Sequence, residues 1–115
     1  MAIEIVTAPL GLAELRRMAA EQFGDLVKAV VDVQREVMAV GGELHADEEA
    51  LLLDDGARQT DLWGINLYPD RPGEDLVEFD SMINVRPSQG NRSRGVDDAA
   101  VQRKIRDVVR KLVVP

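Results

Sequence analysis

Four segments of the chain alternate apolar and polar side chains with the period of two that is typical of a half-buried β-strand. They are residues 2–6, 43–46, 61–68 and 76–85. The pattern is clearest in residues 76–85, where Val77, Phe79 and Ile83 share one face. Residues 69–73 (PDRPG) are rich in turn formers, so we expect the two strands beside them to pair as an antiparallel hairpin.

Helical spacing of apolar residues predicts three main helices. The first covers residues 12–23, the second covers 26–40, and the third follows Asp97, which is placed to cap it. In the second, Leu26 and the valines at positions 30, 33, 37 and 40 recur at steps of four and three. This spacing predicts that the second helix is the most buried. Residues 47–54 (DEEALLLD) fit either a short helix or a bent strand.

The order of these elements predicts a single α+β domain over residues 1–115. We expect a largely antiparallel sheet of about four strands, with the three main helices packed on one face. A chain of 115 residues is long enough to bury a core without metal or disulfide staples. It contains no cysteine, which excludes thiolate metal sites and cysteine nucleophiles. With no signal-peptide pattern and no apolar run of about 20 residues, we expect a cytoplasmic protein without a membrane partner.

Charge is distributed unevenly along the chain, whose net charge is −7. Residues 1–85 carry 6 basic and 18 acidic side chains, whereas residues 86–115 carry 8 basic and 3 acidic ones. The basic end could pair with the acidic body or form a patch for an anion. Overall acidity repels a phosphate backbone, so nucleic-acid binding is not expected.

The loop at residues 87–95, with Arg86 before it, is the segment most typical of a binding site. Arg86, Arg92 and Arg94 lie beside Asn91 and two glycines. Guanidinium groups match carboxylate and phosphate oxygens, and the loop leads into a helix N-terminus. The spacing matches no nucleotide-binding fingerprint. The alternative is that these arginines tie the loop to acidic residues of the body.

A second candidate group lies on the polar face of the predicted hairpin. Asp80 and Asn84 share a side with Arg86, and Asn66 on the neighbouring strand could join them. Such a group could hold a polar small molecule. It could also be the solvated face of an antiparallel sheet, which is the more common situation.

The third candidate group contains the only histidine. Glu43, His45 and Asp47 would point the same way if residues 43–46 formed a strand. A histidine between carboxylates could act as a general base or bind a divalent metal. One histidine without cysteine is a poor transition-metal site, so we assign no metal and no cofactor. His45 and Asp47 remain weak catalytic candidates.

Three strings carry a resemblance to a known family. They are GELHADEEALLLDDG (42–56), DLWGINLYP (61–69) and EFDSMINVRPSQGNRSRGV (78–96). The chain resembles a family of small prokaryotic proteins classed as a domain of unknown function. The resemblance implies a single-domain bacterial or archaeal cytosolic protein. It implies no activity, substrate or catalytic residue.

These observations lead to one main functional expectation and two alternatives. We expect an anionic small ligand or partner segment to bind through Arg86, Asn91, Arg92 and Arg94, with Asp80 and Asn84 as polar contacts. The first alternative is a metal-assisted or histidine-dependent hydrolase that uses His45, so whether the protein is an enzyme stays open. The second is a homo-oligomeric interaction module without ligand, with residues 26–40 as its interface.

Overall fold

The computed structural model describes residues 2–115 and contains three helices and two sheets. The helices are α1 (Leu12–Glu21), α2 (His45–Asp54) and α3 (Ala99–Leu112). The strands are β1 (Glu4–Val6), β2 (Leu10–Gly11), β3 (Val27–Asp32), β4 (Val37–Val40), β5 (Leu62–Leu67), β6 (Val77–Glu78) and β7 (Val113–Val114). The main sheet is antiparallel with the order β1-β4-β3-β5-β6, and β2 pairs with β7 in parallel. The α+β class is confirmed.

Both faces of the main sheet are covered, whereas we expected all helices on one face. Apolar residues of α1 and α3 pack against Val27, Ala29 and Val31 on one face. On the other face, Leu52 of α2 packs against Val30 and other apolar residues. The physical reason is that β3 and β5 carry apolar side chains toward both faces, and each face needs its own cover.

The helix predicted for residues 26–40 is wrong: this segment is the hairpin of β3 and β4. β-Branched valines favour strands, and burial on both faces removes the alternation that would have indicated one. Asp32 shapes the turn, because its Oδ1 accepts hydrogen bonds from the backbone N–H groups of Gln34 and Arg35 at 3.0 Å each. β3 and β4 are internal strands of the sheet, so the helix on which the oligomer interface was predicted does not exist, and the oligomer itself stays a prediction.

The strand predicted for residues 43–46 is also wrong, because α2 begins at His45. The open alternative for residues 47–54 is resolved in favour of a helix. His45, Glu48 and Leu52 follow one another at steps of three and four and are all buried. One side of α2 therefore faces the sheet, and two of its three buried side chains are polar.

The strand predicted for residues 61–68 is confirmed as β5, and its hairpin pairing with β6 is confirmed by the register of Asn66 with Glu78. The strand predicted for 76–85 is wrong beyond Glu78, where the chain leaves the sheet. In its place, Asn84 covers the edge of β5. Its Oδ1 accepts from the N–H of Gly64 at 2.8 Å, and its Nδ2 donates to the Gly64 carbonyl at 2.9 Å. A side-chain amide thus replaces the neighbouring strand.

The first and last predicted elements lie close to their expected places. The strand predicted for residues 2–6 is confirmed as β1, and the first helix ends at Glu21 rather than at 23. The N-cap of α3 is Asp98, which accepts from Ala100, and not Asp97. Within residues 2–115, no helix has the length and apolar character needed to cross a membrane.

Candidate functional site

Arg86 is held by backbone carbonyl groups. Its two terminal nitrogens donate to the carbonyl oxygens of Gln59 and Leu62, the latter at 2.7 Å. The guanidinium also stacks over the Trp63 ring, 4.3 Å from its centre. Burial lowers the pKa of Arg86 below its usual value. These contacts tie the start of the loop to the segment that leads into β5.

Asn91 and Asn84 organise the loop from inside. Both are buried. Nδ2 of Asn91 donates to the carbonyls of Asn84 and Gly95, at 2.8 and 2.9 Å, and its Oδ1 accepts from the Asp97 N–H. Nδ2 of Asn84 donates to the carbonyl of Arg94 at 2.9 Å. The polar atoms of these two amides are therefore engaged by the protein itself.

Arg92 and Arg94 lie in different surroundings although one residue separates them. Nε of Arg94 is 2.7 Å from Oδ1 of Asp80, so this ion pair joins the loop to the segment after β6. The side chain of Arg92 is exposed and forms no ion pair or hydrogen bond within residues 2–115. The six predicted ligand-binding residues thus do not converge on one point, and only Asp80 and Arg94 line a cleft.

That cleft lies between the start of α2 and the main sheet and has a volume of about 360 Å³. We call it the Lys28 cleft. Its lining comes from β3, β5, the start of α2, the segment after β6 and the loop. The lining residues are Lys28, Leu44, His45, Ala46, Asn66, Asp80, Ser81, Met82, Ile83 and Arg94.

The sheet provides the cleft with a row of polar side chains on neighbouring strands. Lys28 on β3 is in register with Asn66 on β5, and Asn66 is in register with Glu78 on β6. Nδ2 of Asn66 donates to Oε1 of Glu78 at 2.8 Å, and the Tyr68 hydroxyl donates to the same oxygen at 3.0 Å. Oδ1 of Asn66 is buried and has no hydrogen-bond partner within residues 2–115.

Lys28 has no acidic partner in the part of the chain that the structure describes. Its ammonium lies 5.2 Å from the centre of the Phe23 ring, which is not part of the cleft lining. The buried carboxyl of Glu48 lies close enough to interact with Lys28, but burial raises the pKa of Glu48 to about 9. Glu48 is therefore mostly protonated at pH 7 and does not neutralise Lys28.

His45 lines the cleft as a neutral imidazole. Its Nε2 donates to the carbonyl oxygen of Ile65 at 2.7 Å, so the other ring nitrogen, Nδ1, carries the lone pair. Burial lowers the pKa of His45, although this hydrogen bond acts in the opposite direction. The charges of Lys28, Asp80 and Arg94 are all near enough to contribute to its pKa.

Glu43, His45 and Asp47 do not form the row predicted from a strand. His45 is buried and Asp47 is exposed, because residues two apart on a helix point in different directions; Glu43, which precedes α2, is exposed as well. Within residues 2–115, no three histidine or carboxylate side chains are grouped so that they could hold a metal ion.

A second cavity, of about 270 Å³, lies on the opposite side of the protein between α3 and residues 73–77. Its walls are mostly apolar, and the charged groups at its rim are already paired. Arg106 faces Glu74 at 4.0 Å, and Arg110 contacts Asp107 at 3.1 Å. Nε of Arg106 is buried without a hydrogen-bond partner, but both arginines at this cavity already face a carboxylate, unlike Lys28.

Sequence reasoning missed Lys28 and the position of His45 beside it. Lys28 fell within the predicted second helix, and a helix there gives no reason to expect Lys28 beside Asn66. The signal that could have revealed it is the β-branched character of residues 27–33, of which Val27, Val30, Val31 and Val33 are typical.

A comparison with known proteins shows a family but no characterised relative. The model of a family described as a protein of unknown function matches residues 4–112. Neither a curated protein nor a solved structure matches the chain.

Proposed function

The chain belongs to the DUF5674 family of unknown function, and we propose from its own side chains that it binds a small anionic ligand in the Lys28 cleft. The observation that carries this proposal is Lys28, which lines a cleft of about 360 Å³ and has no acidic partner in an ion pair within residues 2–115. Arg94, the other cation of the lining, is by contrast paired with Asp80.

Partial burial strengthens the attraction between Lys28 and an anion. Lys28 is half-buried, so an anion in the cleft would be less screened by water than one on the open surface. Arg94 adds a second cation to the lining. Its ion pair with Asp80 runs through Nε, which leaves the terminal nitrogens of the guanidinium for an anion.

The size of the cleft favours a small molecule over a macromolecule. Ligand pockets typically measure about 300–1,000 Å³, and the Lys28 cleft lies at the lower end of that range. Nucleic acid is disfavoured by the net charge of −7. A partner segment would have to insert an acidic side chain or a terminal carboxylate into the cleft. The cleft would then still be binding a small anionic group.

Replacing Lys28 by methionine should weaken anion binding about tenfold or more, because a charge-assisted hydrogen bond contributes about 1.5–3 kcal/mol. A thermal-melt screen against inorganic phosphate, nucleotides and small carboxylates identifies the anion, and calorimetry gives its Kd. Lys104→Met is the matched control, because Lys104 is an exposed lysine of α3 on the other side of the sheet. Equal weakening in both variants would mean that only net charge matters, and would contradict the proposal.

Arg94 and Arg92 provide a second matched pair. Arg94→Ala should weaken binding of the same anion about tenfold, whereas Arg92→Ala should leave the Kd within about twofold, since only Arg94 lines the cleft. Calorimetric titration of both variants checks this. If Arg92→Ala weakened binding and Arg94→Ala did not, the site would lie at the tip of the loop and not in the cleft.

A hydrolase remains a second candidate, because the only histidine lines the same cleft. This candidate requires a different result. Mass spectrometry of the purified, untagged protein should find stoichiometric metal that His45→Ala removes, or the cleft should turn over an ester or phosphoester in a His45-dependent way. The anion-binding proposal expects binding without turnover.

A further inference from the structure

We infer that the ligand of the Lys28 cleft is zwitterionic, namely a free α-amino acid with an apolar side chain. This inference deepens the proposed anion binding and rests on it. It follows from three features of the lining: cations, hydrogen-bond acceptors without donors, and exposed apolar side chains at the rim.

The first acceptor is Oδ1 of Asn66. The Glu78 carboxylate only accepts hydrogen bonds, so Nδ2 of Asn66 must face β6 and Oδ1 must face the Lys28 side of the row. Asn66 is 7% exposed, and Oδ1 has no partner within residues 2–115. A buried carbonyl oxygen without a donor is costly, so this oxygen favours an N–H donor at the Asn66 side of the cleft.

Two further residues of the lining, Asp80 and His45, carry acceptor atoms. Asp80 pairs with Arg94 through Oδ1, which leaves Oδ2 as an acceptor. His45 carries a lone pair on Nδ1, because its N–H is on Nε2. A simple anion such as phosphate would meet Lys28 and Arg94 favourably but would be repelled by Asp80. A molecule with both a carboxylate and an ammonium group satisfies the cations and the acceptors together.

The rim of the cleft is apolar. Leu44, directly before α2, is 56% exposed, and Met82, in the short 3-10 turn after β6, is 65% exposed. Both line the cleft, from different elements. Large apolar side chains are usually covered, and here they are placed to contact an apolar side chain whose backbone groups reach the polar floor. Leucine, methionine and phenylalanine have this combination.

Calorimetric titration of the full chain with L-leucine, L-methionine and L-phenylalanine tests the inference. At least one of them should bind, and L-serine, which lacks the apolar side chain, should bind at least tenfold more weakly. For leucine, 4-methylpentanoate removes the ammonium group and leucinamide removes the carboxylate. Each analogue should bind at least tenfold more weakly than leucine. If methionine or phenylalanine is the amino acid that binds, its own analogues without the ammonium group or the carboxylate are compared in the same way.

Asp80→Asn tests which group recognises the ammonium. Asp80 is 43% exposed in its side chain, so the variant should fold. The variant should bind leucine more weakly, and it should bind 4-methylpentanoate as tightly as before or more tightly. The ratio of the two Kd values, which measures the preference for the amino group, should therefore shrink severalfold. An unchanged preference would overturn the role of Asp80 in binding the ammonium group.

Different binding results would overturn the zwitterionic ligand and the anion site. If 4-methylpentanoate bound as tightly as leucine, the zwitterion inference would be overturned and anion binding by Lys28 would stand. If neither the amino acids nor phosphate, nucleotides or simple carboxylates bound, both would be overturned.

Discussion

Replacing Asn84 by alanine should destabilise the fold by about 3–5 kcal/mol, because each buried backbone group left without a partner costs about 1–3 kcal/mol. Asn84 is fully buried, and its side chain satisfies the N–H and C=O of Gly64 and the C=O of Arg94. Urea denaturation followed by circular dichroism measures the change.

The matched control is Gln89→Ala in the same loop. Gln89 is exposed and donates a single hydrogen bond to the carbonyl of Thr60. Its removal should change stability by less than about 1 kcal/mol. If Asn84→Ala were as mild as this control, the proposal that Asn84 replaces a missing strand would be contradicted.

Gly64 belongs to the same arrangement. A Cβ atom at this position would lie 2.5 Å from both Cβ and Oγ of Ser81. Real Cβ contacts are not that short, so the segment after β6 approaches β5 only because residue 64 has no side chain. The amide of Asn84 can then reach both polar groups of the glycine.

Replacing Glu48 by glutamine should stabilise the protein by about 3 kcal/mol at pH 7. Glu48 is fully buried, and burial raises the pKa of its carboxyl to about 9. At pH 7 the unfolded chain has lost this proton and the folded chain keeps it, so folding must take up a proton. Glutamine is neutral in both states, and its side-chain oxygen can still accept from the Gly42 N–H, which Glu48 contacts at 2.9 Å.

The sign of the pH dependence follows from this proton uptake. Between about pH 4.5 and pH 9 the folded state binds more protons at Glu48 than the unfolded state, so the free energy of unfolding falls as the pH rises. The advantage of Glu48→Gln should therefore grow by about 1.4 kcal/mol per pH unit in this range. Urea titrations of both proteins at pH 5, 6, 7 and 8 measure the difference.

Comparison at each pH cancels the effects of the other titrating groups. His45 acts in the opposite direction, because its lowered pKa removes stability as the pH falls below about 6.5. It does so equally in both proteins. Glu43→Gln, an exposed control, should change stability by less than about 0.5 kcal/mol. A stability difference between Glu48→Gln and the native chain that did not depend on pH would mean that Glu48 ionises normally in the folded state.

Elements with one buried and one solvated side were predicted well. The alternation of residues 61–68 indicated β5, and the stripe of Ile105, Val108 and Leu112 indicated α3. In both cases the apolar positions recur with the period of the strand or of the helix. The α+β class followed from the order of such elements.

Elements buried on both faces were predicted poorly. In residues 26–40 the steps of four and three among apolar positions fit a helix by coincidence, since in β3 and β4 nearly every side chain is buried. Residues 76–85 failed for the opposite reason. Their alternation is compatible with a long strand, but the chain leaves the sheet after Glu78 so that Asn84 can contact Gly64.

The sequence by itself determined the α+β class and the uneven distribution of charge. It also singled out the loop arginines as candidates for anion binding. Only the tertiary structure decided which of them face a cleft. Lys28, Asn66 and Asp80 are separated along the chain, and they meet because the register of β3 on β5 sets Lys28 beside Asn66. Register depends on how both faces of the sheet are packed, and no local pattern of side chains contains that information.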